Sequence, residues 1–115
     1  MSTDFASIIE YTVDGPDTQR ELVDAFVPLL ERWVAWYPGY VSARFHVSTD
    51  GTRVHNVVTW ESEADYRNFV DTSDTEGRLA AIEAAVTGLS GTAEFAGAGV
   101  PTYAVVREVG PRARA

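Results

Sequence analysis

Two alternating segments with a turn signal between them constrain the fold of this chain more than any other feature. Apolar and polar side chains alternate along residues 40–48 and again along residues 53–60, which is the pattern of half-buried β-strands. Asp50 and Gly51 lie between the two segments and are typical of a tight turn. We therefore predict an antiparallel hairpin over residues 40–60.

The position of the turn also predicts the register of the hairpin. A turn centred on the Asp-Gly pair places Phe45 opposite Asn56 and His46 opposite His55, and the side chains then separate into two faces. The apolar face comprises Val41, Ala43, Phe45, Val47, Val54, Asn56, Val58 and Trp60. The other face comprises Ser42, Arg44, His46, Ser48, Arg53, His55, Val57 and Thr59. We expect the apolar face to lie against helices.

A strand and a helix are predicted before the hairpin. Residues 5–13 are rich in β-branched and aromatic side chains and end at an Asp-Gly-Pro turn. Residues 18–37 carry apolar side chains at three- and four-residue steps, the helical period. Thr18 and Glu21 have the spacing of a capping box, so we expect this helix to begin near Thr18 and to end before the Pro-Gly pair that follows it.

Two helices and one or two strands are predicted after the hairpin. Ser62 is the expected N-cap of a short helix over residues 65–70. A further helix covers residues 78–87 and ends at a glycine. Residues 103–109 predict the last strand, and residues 92–96 allow another short one.

The order β-α-β-β-α-(α)-β is typical of a ferredoxin-like α+β fold, in which helices cover one face of an antiparallel sheet. We expect one such domain over residues 1–109 and a mobile tail over residues 110–115. The uncovered sheet face would mix charged side chains with apolar ones. Because this face is too mixed for full exposure, we predict a homodimer in which the two sheets pack against each other.

Composition excludes several classes of function. Nine arginines and no lysines stand against seventeen acidic residues, and the net charge is -8. A net anion repels phosphate groups, so we expect no nucleic-acid partner and no membrane partner. The chain has no cysteine, which excludes disulfides and thiolate ligands. No apolar stretch is long enough to span a membrane and no secretory signal is visible, so we expect a cytoplasmic protein.

Asn56 is the most informative single residue, because it is an amide on an apolar face. A buried amide without partners costs about 1–3 kcal/mol, so it must bond to protein, water or a ligand. It is either a structural amide or a donor to a ligand oxygen. Trp60 and Tyr66 are likewise either core residues or walls for a flat aromatic ligand. His46 and His55 form a weak candidate metal site, and a hydrogen-bonded pair in the dimer interface is the favoured interpretation.

The sequence resembles the antibiotic biosynthesis monooxygenase family of dimeric α+β barrels over roughly residues 5–109. Three short motifs carry the resemblance, together with Tyr66 and Phe69. The motifs are Pro38-Gly39-Tyr40-Val41-Ser42-Ala43, His46-x-Ser48-x-Asp50-Gly51-Thr52 and Asn56-Val57-Val58-Thr59-Trp60-Glu61-Ser62. Within the family, the chain is similar to small quinone-forming monooxygenases of aromatic polyketide pathways.

This resemblance implies an enzyme that oxidises an anthrone-type phenol to a quinone with molecular oxygen, without flavin, haem or metal. It implies catalytic roles for Asn56, Trp60, Tyr66 and Arg78. We expect the substrate to contact a second set of aromatic residues, namely Phe26, Trp33, Phe45 and Phe69. Close relatives carry a tyrosine where this chain has Phe45, so a proton relay through a hydroxyl at that position is not expected.

Two other functions stay open at the level of the sequence. The same fold is found in polyketide cyclases, which need no oxygen, so oxygen consumption separates the two reactions. A non-catalytic domain that binds an aromatic metabolite is the second alternative, since a fold does not determine a function. Haem-degrading relatives need a histidine after the tryptophan, and this chain has none beyond His55.

Overall fold

The computed structural model describes residues 5–97 and 99–113, and in this part of the chain five strands and three helices form one α+β unit. The elements are β1 (Phe5–Val13), α1 (Pro16–Trp33), β2 (Tyr40–Val47), β3 (Arg53–Trp60), α2 (Glu63–Thr72), α3 (Thr75–Thr87), β4 (Ala93–Phe95) and β5 (Thr102–Ala104). The sheet is antiparallel with the order β2-β3-β1-β4, and β5 also pairs with β1. This arrangement confirms the predicted ferredoxin-like fold class.

The predicted hairpin register is confirmed. Phe45 pairs with Asn56 and His46 pairs with His55. Along β3 every second residue from Val54 to Trp60 is buried, as the alternation requires. An irregularity between Tyr40 and Ser42 shifts the pairing at the start of β2. Val41, at this irregularity, and Val47, at the other end of β2, are exposed rather than buried, although both were expected on the covered face.

Two clusters of buried side chains hold the helices against the sheet. The Leu22 cluster comprises Tyr11, Val13, Leu22, Phe26 and Val54. The Trp60 cluster comprises Val34, Val58, Trp60 and Phe69. The strand residues in both clusters belong to the same sheet face, so the helices cover that face and leave the other one open.

The boundaries of α1 differ from the prediction at both ends. The helix begins at Pro16, with Gly15 as its N-cap, and Thr18 lies inside it. Proline is favoured in the first turn because its missing N–H would have no partner there, and the Thr18 hydroxyl instead donates to Asp14 Oδ1 at 2.5 Å. The helix ends at Trp33, where the amides of the next two residues both donate to the Leu30 carbonyl.

The helices after the hairpin are longer than predicted. Ser62 caps α2 as expected, because its side chain accepts a hydrogen bond from the Asp65 amide. Asp74 caps α3 by accepting from the Gly77 amide, so α3 begins three residues earlier than predicted and includes Arg78 in its first turn. No helix in the described part of the chain is long and apolar enough to cross a membrane.

The prediction of a strand over residues 103–109 is wrong beyond Ala104. In β5 only Thr102–Ala104 pairs, and Ala104 lies opposite Phe5, the first described residue of β1. Residues 105–113 therefore pass the end of the paired strand and are exposed without regular structure. The predicted domain limits and the mobility of the tail stay predictions, and residues 1–4, 98, 114 and 115 lie outside the described residues.

Candidate active site

A cavity of about 470 Å³ lies between the covered sheet face and the helices. Its wall is formed by inward-facing residues of β1 and β3, by the end of α1, by α2 and α3, and by the chain around β4. Most of these side chains are aliphatic or aromatic, and Arg78 is the one formally charged side chain among the described residues that line it. The volume lies in the range of sites that bind drug-sized molecules.

Asn56 contributes an amide to the sheet side of the cavity. It is 7% exposed, because the alternation of β3 turns it inward between Val54 and Val58. Its Oδ1 atom is buried and has no hydrogen-bond partner within the described residues. An unpaired buried polar atom is costly, so the amide keeps hydrogen-bonding capacity that a ligand could use.

Trp60 forms an aromatic wall together with three other rings. Its ring centroid lies 5.9 Å from that of Tyr40, 6.1 Å from that of Tyr66 and 5.1 Å from that of Phe69. The indole Nε1 is buried and, like the Asn56 oxygen, finds no partner among the residues described. Tilted and edge-on contacts of this kind fix ring orientations. Trp60, Tyr66 and Phe69 therefore give the cavity a preformed aromatic wall, while Tyr40 lies outside its lining.

Arg78 brings a positive charge to the helix side of the cavity. Its guanidinium lies over the Phe69 ring, and its Nη1 donates to Ser73 Oγ at 2.7 Å. Burial lowers the pKa of Arg78. Burial raises the pKa of the nearby Tyr66, while the charges of Arg78 and Arg67 oppose that rise. The site therefore combines a cation with a protonated phenol in an apolar setting, which suits an anionic oxygen of a ligand.

Known proteins resemble this chain in both sequence and structure. No family model matches it. Tetracenomycin-F1 monooxygenase of Streptomyces glaucescens is 42% identical over 66 residues, which are 57% of this chain and 59% of that protein. The match thus spans less than two thirds of this curated relative. The monooxygenase from the gene ActVA-Orf6 of Streptomyces coelicolor, solved in complex with nanaomycin D, is 31% identical and superposes with a TM-score of 0.71. That superposition covers 96% of this chain and 94% of the other.

This chain belongs to the antibiotic biosynthesis monooxygenase family. A more distant structure supports the same fold: SnoaB of Streptomyces nogalater, described as a cofactor-independent oxygenase, is 16% identical with a TM-score of 0.65 and covers 94% of this chain and 98% of its own. The family assignment expected from the sequence motifs is therefore confirmed.

The structure of this family member brings five of the eight predicted site residues to one cavity. They are Asn56, Trp60, Tyr66, Phe69 and Arg78. The other three predicted residues do not line the cavity. Phe26 packs edge-on against Tyr11 at 5.4 Å, Phe45 packs against the Leu22 cluster, and Trp33 packs against the Trp60 cluster. Phe26 thus contacts one lining residue, Tyr11, while Phe45 and Trp33 belong to the packed core.

Sequence reasoning did not single out several residues that line the cavity. Ser7, Ile9 and Tyr11 reach it from β1, and Leu79 and Ile82 reach it from α3. The β1 residues share one parity, so the period of two could have placed them on the covered face once that face was known. Nothing in their residue types marks them as part of a site.

His46 and His55 lie on the open sheet face, away from the cavity. They are directly opposite each other in the β2–β3 pairing, as predicted. The hydrogen bond of His55, however, joins its Nε2 to Glu10 Oε1 on β1 at 2.8 Å. The expected histidine–histidine hydrogen bond is therefore replaced by a histidine–carboxylate contact. Within residues 5–97 and 99–113, no cluster of three metal-binding side chains occurs.

Proposed function

We propose that this protein is a monooxygenase of aromatic polyketide biosynthesis that oxidises an anthrone-type substrate to a quinone with molecular oxygen. The observation that carries the proposal is the apolar cavity that Asn56, Trp60 and Tyr66 line together, with Arg78 at its helix side. The Oδ1 atom of Asn56 has no hydrogen-bond partner among the described residues. Two relatives, at 42% and 31% identity, are both named monooxygenases, which supports the reaction class. The nanaomycin D complex of one of them supports a fused-ring ligand.

The proposed reaction balances with oxygen as the sole oxidant. An anthrone has an acidic methylene group, and loss of one proton gives an anion that is delocalised onto the carbonyl oxygen. The anion transfers one electron to oxygen, and the resulting radical and superoxide combine to a peroxide anion. This anion takes up one proton, which replaces the proton lost in the first step, and becomes the hydroperoxide. Loss of water from the hydroperoxide leaves a second carbonyl, so that the anthrone and one oxygen molecule yield the quinone and one water.

The cavity residues would act on the charge that develops on the carbonyl oxygen. The Nδ2–H group of Asn56 donates a hydrogen bond to this oxygen, since the amide oxygen can only accept. The Arg78 guanidinium stabilises the negative charge of the same oxygen across the apolar cavity. Trp60 contacts the bound ring or the peroxide, and Tyr66 assists proton transfer. The aromatic wall orients the flat substrate and excludes water, which strengthens each of these interactions.

The proposal needs no organic cofactor and no metal. SnoaB, a cofactor-independent oxygenase with the same fold, supports a reaction without a cofactor. A polyketide cyclase would use the same cavity without consuming oxygen, and a binding domain would hold the aromatic compound without turnover.

Oxygen consumption tests the proposal directly. Purified protein treated with a chelator is mixed with an anthrone, and oxygen uptake and quinone formation are followed together. We expect one oxygen molecule per quinone and a loss of about 10²-fold in rate for Asn56→Ala, the size reported for removal of one oxyanion donor. Turnover without oxygen uptake supports the cyclase. An unchanged rate in Asn56→Ala removes this residue from the mechanism.

We also propose that the protein is a homodimer through its open sheet face. This face carries apolar side chains such as Ile8 and Val57, which pair with each other in the sheet, beside the His55–Glu10 contact. A mixed apolar and charged surface of this kind is typical of an interface between copies. The cytoplasmic location stays a prediction.

A further inference from the structure

Ser7 is a second buried polar residue on the sheet side of the cavity. It lies on β1, is 4% exposed and lines the cavity. Its side chain points to the covered face, as those of the buried Tyr11 and Val13 do, because residues of one parity share a face. Among the described residues no hydrogen bond of its hydroxyl is found. Its oxygen is not one of the fully buried unpaired atoms, which among the described residues are Trp33 Nε1, Asn56 Oδ1 and Trp60 Nε1. The hydroxyl is therefore open to the cavity that it lines and is available to a ligand.

The sheet register places Ser7 next to Asn56. Ser7 pairs with Val58, and Asn56 pairs with Ile9, so Ser7 and Asn56 are diagonal neighbours across the β1–β3 pair. Diagonal neighbours on one sheet face have Cβ atoms roughly 7 Å apart, and both side chains extend into the same cavity. Their polar atoms can therefore reach two oxygens that are themselves close together.

We propose that Ser7 is a specificity-determining residue that, together with Asn56, binds two neighbouring oxygens on one edge of the substrate. A carbonyl with a hydroxyl at the adjacent (peri) ring position fits this pair. The Asn56 Nδ2–H group donates to the carbonyl oxygen, and the Ser7 hydroxyl donates to the phenol oxygen, whose own O–H donates to the carbonyl oxygen. The inference rests on the proposed function for the aromatic class of the substrate, and it adds the peri-hydroxyl as the feature that is recognised.

The apolar surroundings make this recognition selective. Around the two polar residues, the sheet side of the cavity is formed by Ile9, Tyr11, Val58, Trp60 and Phe95, of which Tyr11 and Trp60 carry a polar atom. A ligand without the hydroxyl would leave the Ser7 oxygen unpaired in an apolar environment, which weakens its binding relative to the hydroxylated ligand.

A binding experiment with two probes tests the role of Ser7 without turnover. The probes are 1,8-dihydroxyanthraquinone and unsubstituted 9,10-anthraquinone, and binding is followed by quenching of tryptophan fluorescence. We expect Ser7→Ala to weaken the dihydroxy probe about 3- to 10-fold, the loss that corresponds to one hydrogen bond. Binding of the unsubstituted probe should not weaken, because Ser7→Ala also removes the oxygen that this probe leaves unpaired. Ser7→Cys, which is close in size and a weak donor, should behave in the same way.

The matched control is Thr12→Val, which removes a hydroxyl from the same strand on the opposite, exposed face. It should leave the binding of both probes unchanged, and thermal unfolding verifies that each variant is folded. Equal weakening of both probes by Ser7→Ala would mean that Ser7 only shapes the cavity, and no weakening would mean that it does not contact the hydroxyl. Either result overturns the inference. Because the probes are quinones and no oxygen is consumed, failure of this test is distinct from failure of the oxygenase proposal.

Discussion

The guanidinium carbon of Arg78 lies 4.4 Å from the centroid of the Phe69 ring. This cation–π contact, together with the hydrogen bond to Ser73, holds a positive charge at the cavity wall close to the phenol of Tyr66. Asp74 acts on the same guanidinium but only as the weakest of its charge interactions. The charge of Arg78 therefore remains available to the cavity.

Removal of this charge should raise the pKa of Tyr66 further. Burial already raises the pKa, and the positive charge of Arg78 is the larger of the two opposing effects. In Arg78→Gln the phenolate loses its stabilising cation, so the phenol should lose its proton at a higher pH than in the wild type. NMR titration of protein with ¹³C-labelled tyrosine measures the shift. Arg67→Gln, which removes the smaller effect, should shift the pKa less, and a downward shift in Arg78→Gln would contradict the assignment.

Replacement of Asn56 by leucine should separate stability from activity. The Asn56 oxygen is buried without a partner in the described structure, and the cavity beside it has room for the leucine methyl groups. Removal of an unsatisfied polar atom should raise the free energy of unfolding by about 1 kcal/mol, while oxidation is lost. Urea denaturation and oxygen uptake measure the two effects. A less stable variant would show that the amide is structural.

The β3 wall of the site could be predicted from the sequence, because two signals agree there. Strict alternation and the Asp-Gly turn fix the register of the hairpin, and the register alone turns Asn56 and Trp60 to the covered face. The cap at Ser62 likewise locates α2, which carries Tyr66.

The rest of the site depends on tertiary packing that local signals do not encode. Ser7 is a small polar residue in a strand whose two faces both carry apolar groups, so its residue type indicates no direction. Phe26 and Phe45 were predicted to contact the substrate but lie in the core. The sequence could not separate the two cases, because an aromatic side chain at the right period packs equally well in a core or in a cavity wall. The predicted length of β5 was wrong for a related reason, since strand propensity does not indicate where the partner strand ends.

Acid should weaken the hairpin turn through Asp50. Hydrogen bonds from the side chains of Thr52 and Ser48 and from the Thr52 amide lower the pKa of Asp50 from 3.8 to about 2. Because the folded state favours the ionised form, this contribution to stability is present above pH 3.8 and is lost as the pH falls through about 2. Asp50→Asn should therefore show a shallower loss of stability over this range, measured as the urea midpoint against pH.

Thr52→Val provides the matched control for Asp50. It removes the largest cause of the lowered pKa but keeps the carboxylate, so its stability curve should fall between those of the wild type and Asp50→Asn. Identical slopes in all three proteins would show that the turn does not favour the ionised carboxylate.

Substitution of one apolar residue on the open sheet face should abolish the proposed dimer. Val57 pairs with Ile8 near the middle of that face, and an arginine there would bring an unpaired charge into the interface. Sedimentation analysis at micromolar concentration should give the wild type twice the chain mass of 12.6 kDa, and Val57→Arg the mass of a single chain. Val27→Arg, the same change at an exposed position of α1, should leave the dimer intact. A wild-type protein that sediments as a single chain would show that there is no dimer. A Val57→Arg variant that stays dimeric would show that the interface lies elsewhere.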